Sequence, residues 1–313
     1  MRIMITGALG HIGSKVIHSL KEGMFEEVRL LDNLSTNRYP SLFHLPEGVP
    51  FKFREGDIRT ADLDEELDGV DVVVHLAAVT DAATSFERPR EVEEVNLHGT
   101  RRVAEACLRR GCRLLFPSTT SVYGTQKEVV DEDCPEEDLK PQSPYAESKL
   151  RAERLLEDLG ARGLDFVICR FGTIFGPSVG MRFHTAVNRF VWQACLGRPI
   201  TVWRTALHQK RPYLDLEDAV RAVFFIVERG LFDGRIYNVV TANHTVNDIV
   251  VILRDFLPAV AVEFVDSPIM NQLSYHVRGD RFRGVGFTYR GDLRRGIGET
   301  LRFLKGIINV TEG

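Results

Sequence analysis

Arg2-Ile3-Met4-Ile5-Thr6-Gly7-Ala8-Leu9-Gly10-His11-Ile12-Gly13 sets an apolar run directly against a glycine-rich turn and the start of a helix-period segment. Glycines at such a turn let the backbone approach a pyrophosphate closely, and the positive end of the following helix favours its charge. Three glycines alone are weak evidence, because a glycine turn is often only a turn. Context adds to them. The next apolar run ends in Asp32, 25 residues after Gly7, where an acid would accept hydrogen bonds from an adenosine ribose. Its negative charge would repel a 2′-phosphate, which favours NAD over NADP. The bland alternative is a turn-forming Asp32-Asn33 pair. Gly56-Asp57-Ile58 ends another run at the same predicted sheet edge, suited either to the adenine side or, for Asp57, to capping a helix before Leu63–Leu67.

Working outward, strand-like runs rich in Val, Ile, Leu and Phe cover Arg2–Thr6, Val28–Asp32, Phe51–Asp57, Val70–Ala78, Arg113–Thr119 and Asp165–Phe171. Helix-period segments lie between them at His11–Lys21, Glu91–Arg110 and Tyr145–Ala161. Continuous rather than alternating hydrophobicity in Val70–Val74 fits a strand covered on both faces. Repeated strand–helix–strand units predict an α/β fold, a Rossmann-type doubly wound parallel sheet. After Phe171 the pattern loosens around Gly176-Pro177, Gly180, Gly197 and Pro199. We expect residues 1–172 to form the NAD-binding domain, also receiving segments near 202–240. Residues 173–313 then form a smaller interleaved substrate lobe.

The 313 residues suffice for one large α/β domain with such a lobe, and 44% hydrophobic with 27% charged residues is ordinary globular composition. A net charge of −4 and a pI near 6.2 offer no basic stripe for nucleic acid. The longest apolar run, Val70 to Val79, is interrupted by Asp71 and His75 and is too short to span a bilayer. The N-terminus carries no signal-peptide pattern. Five cysteines (Cys107, Cys112, Cys134, Cys169 and Cys195) form no CxxC pair. That spacing argues against a metal site or disulfide framework and fits a reducing, cytoplasmic setting.

A second constellation begins at Pro144. Tyr145-Ala146-Glu147-Ser148-Lys149 opens a helix, and positions i and i+4 share a face, so phenol and ammonium are expected to point the same way. A Tyr ordinarily titrates near pH 10. A neighbouring ammonium and a positive nicotinamide ring both favour phenolate, making Tyr145 a usable base near neutrality. A lone YxxxK is more often an exposed amphipathic helix. Here the run Phe116-Pro117-Ser118-Thr119 ends about 26 residues earlier, where a doubly wound sheet presents ligand contacts. Thr119 can hydrogen-bond the reacting hydroxyl.

Together these residues resemble the extended short-chain dehydrogenase/reductase family, particularly its NAD-dependent nucleotide-sugar epimerases and dehydratases, over nearly the whole chain. Thr6–Gly13 is similar to the family's glycine turn and Asp32-Asn33-Leu34-Ser35 to its NAD-ribose loop. His75-Leu76-Ala77-Ala78, then Ser85 and Pro89, resemble the strand and loop beside the cofactor, and Asn96 with Gly99-Thr100 the helix that follows. Ser118–Gly124 resembles the serine/threonine strand end, with Thr119 at the catalytic hydroxyl position. Arg170–Pro177, Arg211-Pro212-Tyr213, Tyr237-Asn238-Val239 and Asp280–Gly286 continue the match in order. The resemblance implies catalytic Thr119, Tyr145 and Lys149. It places Gly7, Gly10, His11, Ile12, Gly13, Asp32, Asn33, Ser35, Asp57, Ile58, Leu76, Ala77, Ala78, Asn96, Tyr145 and Lys149 at NAD.

Departures from the family pattern narrow the chemistry. Dehydratases of the family place an Asp-Glu pair just after the catalytic threonine, where this chain has Thr120 and Ser121. An epimerase acting at C4 through a transient 4-keto sugar needs only the Thr/Tyr/Lys set and NAD. A net nucleotide-sugar oxidoreductase shares every one of those residues, and a catalytically silent NAD-binding protein is the non-enzymatic alternative. On the substrate side the family's usual Asn is Thr173, and Arg-Asp is Arg211-Pro212. Arg211 is a candidate phosphate clamp, its bland reading a surface salt bridge. Amides such as Asn271 stand where a second phosphate arginine is expected. Asp81, Thr119, Thr120 and Asn188 complete the expected substrate contacts, Asp81 disfavouring a carboxylated sugar. Trp192 reads as core rather than stacking platform. The resemblance also implies a homodimer packed through Glu91–Arg110 and Tyr145–Ala161, whose other role is to cover the sheet.

Overall fold

The computed structural model describes residues 1–124, 127–266 and 274–304. Seven strands form the main sheet: β1 (Arg2–Thr6), β2 (Glu27–Asp32), β3 (Phe51–Glu55), β4 (Val72–His75), β5 (Arg113–Thr119), β6 (Phe166–Phe171) and β7 (Ile236–Val239). Their order is β7-β6-β5-β4-β1-β2-β3, and every neighbouring pair is parallel. The chain builds outward from β1 to β3, then crosses to β4 on the other side of β1. That reversal opens a crevice beyond the carboxyl ends of β1 and β4, the place where a doubly wound sheet takes ligands.

Helices cover both faces, as continuous burial of Val72–His75 requires. On one face α1 (His11–His18) packs against a later helix, Leu216–Arg229, over Ile3, Ile5, Val28 and Val74. On the other, α2 (Thr100–Arg110) and α3 (Pro144–Gly160) bury Val103, Cys107, Ala152, Leu155, Leu156 and Leu159 against Met4, Val73, Leu114 and Ile168. These residues cover the sheet, the other role expected of the two helices. Their outward faces present Arg101, Glu147, Arg151 and Arg154 to solvent. The expected Glu91–Arg110 helix is not uniform: an α turn at Pro89–Glu93 and a π turn over Glu94–Gly99 precede α2.

Arg235–Val240 does return to the main sheet, as β7. Val202–Leu216 does not. Its strand Lys210–Asp215 lies between Thr173–Phe175 and Ala242–Thr245 in a separate three-stranded sheet, and Ile200–Trp203 pairs with Val262–Val265. Leu214 of the Lys210–Asp215 strand and the helix that follows Asp215 still pack into the main core. The lobe has its own apolar centre, built on Phe175, Val187, Phe190, Val191, Tyr213, Ile249, Leu253 and Ile297. Trp192 packs within it, its ring 4.7 Å from that of Phe183, in keeping with a core role. Among the described residues no helix is long and apolar enough to cross a membrane.

Candidate active site

The crevice between β1 and β4 is closed at its base by backbone. Gly7 has φ +64°, and a Cβ there would lie 2.6 Å from the backbone nitrogen of Ala77. Only glycine permits both the left-handed turn and the approach of the loop after β4. His11 is buried in the first turn of α1. Its Nε2 meets the Gly176 carbonyl at 2.9 Å, while Nδ1 has no partner among the described residues. Burial lowers its pKa to about 3, so the ring is neutral. At the end of β2 the Asp32 carboxylate accepts from the backbone N–H of Leu9 (3.0 Å) and of Leu34 (2.9 Å), which fixes it beside the glycine turn. These features fit a dinucleotide: a backbone cradle at a helix start, with an oriented carboxylate beside it.

Neighbouring candidates divide into exposed and buried sets. Asn33 and Ser35 are exposed on the loop after β2. Asn33 donates to Asp57 at 2.9 Å, and Asp57 takes both arms of Arg59 (2.9 and 2.7 Å), which hold its carboxyl far below the usual range. Asp57 does not cap the next helix; Asp62 does, accepting from Glu65 N–H. Ile58 is buried, and its carbonyl accepts from Arg102 at 2.6 Å. Leu76 and Ala77 turn away from β4 on hydrogen bonds to Thr6, from Leu76 N–H at 3.0 Å and Ala77 N–H at 3.3 Å. This is why β4 ends at His75, short of the expected Ala78.

His75 links three elements. Thr100 Oγ1 gives its proton to the Asn96 carbonyl (2.6 Å), so it accepts from His75 Nε2 at 3.0 Å. Nδ1 therefore accepts from Thr6 Oγ1 at 2.7 Å. Asn96 is fully buried. Its amide grips Val79 in both directions (2.8 and 2.9 Å) and donates to Ser148 Oγ at 3.1 Å. Its polar atoms are thus spent on positioning the loop after β4 and tying it to α3. Asn188 behaves alike: fully buried, it accepts from Gly176 N–H (3.2 Å) and donates to the Arg182 carbonyl (3.1 Å), holding the loop 176–182. Both asparagines hold the loops that border the crevice.

The catalytic candidates meet at the carboxyl end of β5. Ser143 caps α3, accepting from Ala146 N–H at 3.2 Å, and Pro144 fills the first helical position, so Tyr145 sits in the first turn. Its phenol lies beside Thr119, whose Oγ1 accepts from Ser121 N–H at 3.1 Å. Burial pushes the phenol's pKa up, and the Arg182 guanidinium and then Thr119 pull it back. Lys149 is 4% exposed. Its Nζ donates to the Pro117 carbonyl at 2.8 Å and lies 4.4 Å from the centre of the Phe116 ring. The expected shared direction of phenol and ammonium is modified: Lys149 is turned onto β5, and Arg182 acts on the phenol. Burial lowers the Lys149 pKa to about 7 against the pull of Glu153.

Behind this pair lies a buried network that sequence reading missed. Glu153, two turns beyond Tyr145, takes Arg170 Nη2 at 2.6 Å and the hydroxyl of Ser118. Arg170 stacks on the Tyr123 ring, whose hydroxyl donates to Asn238 at 2.7 Å. The only sequence signal was a Tyr-Lys-Glu row at four-residue spacing on α3.

On the substrate side, Thr120 Oγ1 donates to the Phe171 carbonyl (3.3 Å), and Tyr275 lies beside it. Arg211 lies over the Tyr275 ring and donates to Gln209 at 2.8 Å; it is half-buried rather than a surface residue. Thr173 opens its lobe strand opposite Tyr213. Asp81 accepts from the N–H groups of Ala83 and Thr84, capping the short turn after β4. Asn271 lies outside the described residues.

Comparison with known proteins agrees with this geometry. Residues 3–239 match the model of the NAD dependent epimerase/dehydratase family. An uncharacterised UDP-glucose epimerase of Bacillus subtilis, YtcB, is 30% identical over 76% of this chain and 76% of its own length. A trifunctional UDP-glucose 4,6-dehydratase/3,5-epimerase/reductase of Arabidopsis thaliana is 30% identical over 91% of this chain, which spans 44% of the plant protein's length. The structure of MoeE5 with UDP-glucuronic acid and NAD superposes with a TM-score of 0.85, at 27% identity over 98% of this chain and 99% of that one. The UDP-glucose 4-epimerase of Thermus thermophilus with NAD gives 0.84, at 28% identity and the same two coverages. By the family match and by the site its residues build, the chain belongs to the NAD-dependent epimerase/dehydratase family.

Proposed function

We propose that this chain is an NAD-dependent epimerase of a nucleotide-activated sugar, acting at C4 through a transient 4-keto sugar. The observation that carries the reading is the Tyr145 phenol, set beside Thr119 at the carboxyl end of β5, with hydroxyls instead of acids at 120 and 121. NAD, when bound, supplies a hydride acceptor and a positive ring beside the phenol. Gly7, Gly10, His11, Ile12, Gly13 and Asp32 would hold it, with Leu76–Ala78 along one wall. Tyr145 Oη removes the proton of the sugar hydroxyl as the carbinol is oxidised and returns it as the carbonyl is reduced. Thr119 Oγ1 orients that hydroxyl, and Lys149 Nζ supplies positive charge on the same helix. Inversion requires the keto sugar to present its other face before reduction.

The 4,6-elimination of the dehydratases needs an acid and a base at the neighbouring carbons. Thr120 donates its hydroxyl proton to the Phe171 carbonyl and offers neither. The test is incubation of the holoprotein with UDP-glucose, UDP-GlcNAc, UDP-glucuronic acid and GDP-mannose, read by proton NMR. A C4 epimer without net NADH supports the reading. Stoichiometric NADH with no epimer refutes it.

A further inference from the structure

Arg182 belongs to the lobe, yet its guanidinium reaches across the crevice to donate to Thr80 Oγ1 in the loop after β4. Both ends of that reach are fixed. On the lobe side, the Arg182 carbonyl accepts from Asn188 at 3.1 Å. The loop before it is pinned to α1, with Ser178 Oγ donating to the His11 carbonyl at 2.9 Å and Gly180 N–H to Ser14 Oγ at 3.0 Å. On the other side, Asn96 grips Val79 and donates to Ser148 Oγ, and that hydroxyl donates to the Tyr145 carbonyl at 2.8 Å. The short turn Thr84–Phe86 packs on α3 as well. The guanidinium is thereby held on the side of the crevice where α3 begins, and the Tyr145 phenol feels its charge. Arg211, the candidate for the sugar's diphosphate, lies elsewhere, over the Tyr275 ring.

The polar groups left over at this place can all donate. Arg182 Nε is buried and has no hydrogen-bond partner among the described residues. The same holds for Thr84 Oγ1, four residues after Thr80, and for Arg189 Nε in the first turn of the lobe helix Ala186–Cys195. The nearby acid does not meet this demand. Asp81 Oδ1 accepts from the N–H groups of Ala83 (3.0 Å) and Thr84 (3.3 Å), and its charge is shared between Arg182 and Arg189. His184 is kept neutral by burial, with Arg182 adding to the effect. What is missing is an acceptor that also carries negative charge. A carboxylate only accepts, and a guanidinium fork matches its two oxygens. A sugar hydroxyl would supply an acceptor but leave the surplus charge unmatched. Asp81 by itself would repel a carboxylated sugar, as expected from the sequence. Committed to its own turn and outnumbered by two arginines, it no longer decides the sign of the site.

We propose that the sugar of the substrate carries a carboxylate, as in a nucleotide-linked uronic acid, and that the Arg182 guanidinium, steadied by Thr80, binds it. The inference rests on the nucleotide-sugar reading above and narrows its substrate class. It makes Arg182 a specificity-determining residue. A uronic acid bears its carboxylate on C5, next to the carbon that is oxidised, so one bidentate contact orients the sugar for the oxidation step.

The experiment measures, by isothermal titration calorimetry on the NAD-loaded protein, binding of UDP-glucuronic acid and UDP-glucose to wild type, Arg182→Met and Arg182→Lys. Wild type should bind the uronic acid about 10- to 100-fold more tightly, the range expected for a charge-assisted pair. Arg182→Met should erase that ratio, and Arg182→Lys, which keeps the charge without the fork, should retain part of it. The wild-type ratio depends on no variant's folding. Wild type that binds UDP-glucose as tightly as UDP-glucuronic acid, or a ratio that survives in folded Arg182→Met, would overturn the inference. Proton NMR of the same mixtures keeps the two readings apart. A protein that prefers the uronic acid but accumulates NADH without a C4 epimer loses the epimerase reading and keeps the carboxylate site. One that epimerises UDP-glucose with no preference for the uronic acid keeps the epimerase reading and loses the carboxylate site.

Discussion

Lys149→Met should make the cofactor-free protein more stable at neutral pH while abolishing its chemistry. Lys149 is 4% exposed, and burial holds its pKa near 7 against an ordinary 10.5. Below pH 7 both the folded and unfolded chains carry this proton, and the folded state bears the full penalty of a buried ammonium. Between pH 7 and 10.5 the unfolded chain binds the proton and the folded chain does not, so stability rises with pH. At 1.36 kcal/mol per pH unit, the penalty is at most about 5 kcal/mol. Methionine keeps most of the stem but loses the hydrogen bond to the Pro117 carbonyl, leaving that acceptor unpaired at about 1–3 kcal/mol. It also loses the contact of the ammonium with Phe116, worth about 1–2 kcal/mol. The remainder favours the variant by up to about 3 kcal/mol at pH 6–7. Urea unfolding of both proteins from pH 6 to pH 10 measures it. The advantage should shrink and reverse toward pH 10, where wild type has shed the proton. Parallel curves across that window, or a variant several kcal/mol less stable at pH 6, would refute the argument.

Three further outcomes follow from the same geometry. Tyr145→Phe should lower turnover by about 10²–10⁴ with NAD retention unchanged, because only the proton-transferring oxygen is lost; steady-state rates and bound NAD check both halves. Gly7→Ala forces a Cβ into the Ala77 backbone at a left-handed φ. It should destabilise the protein by about 1–3 kcal/mol or more and abolish NAD retention, read by thermal unfolding and by mass spectrometry of the native protein. Arg170→Met strands the buried Glu153 charge and should destabilise by about 3–5 kcal/mol; the double change Glu153→Met/Arg170→Met should recover most of that loss in denaturant titration.

The parallel sheet was legible because its strands are buried on both faces and so read as unbroken apolar runs, as Val72–Val74 and Leu114–Phe116 do. Glycine at position 7 was legible because backbone geometry admits nothing else there. The misplacement of Val202–Leu216 has a simple cause: Lys210–Asp215 is as apolar toward its end as a main-sheet strand, and nothing local distinguishes one buried sheet from another. Asn96 and Asn188 drew attention as polar residues near the crevice. A buried amide, however, serves a loop as readily as a ligand, and here both satisfy backbone. Arg182 stood out only as part of a polar-aromatic stretch of the lobe, and its contact across the crevice, like the Glu153–Arg170 pair, was hidden for the opposite reason. Their partners lie on elements distant in sequence, at Thr80 for Arg182 and one helix–strand step away for Glu153. Charge in a single sequence carries no mark of burial.

The central claim is that a hydride leaves sugar C4 and returns to the same carbon while Tyr145 handles the proton. A nucleotide sugar deuterated at C4, chosen from those the protein turns over, tests it in one measurement by NMR and mass spectrometry in ordinary water. The account predicts that the inverted product keeps its deuterium at C4, and that Tyr145→Phe gives no product. Loss of the label to solvent, or its accumulation on released NADH without an epimer, would contradict it.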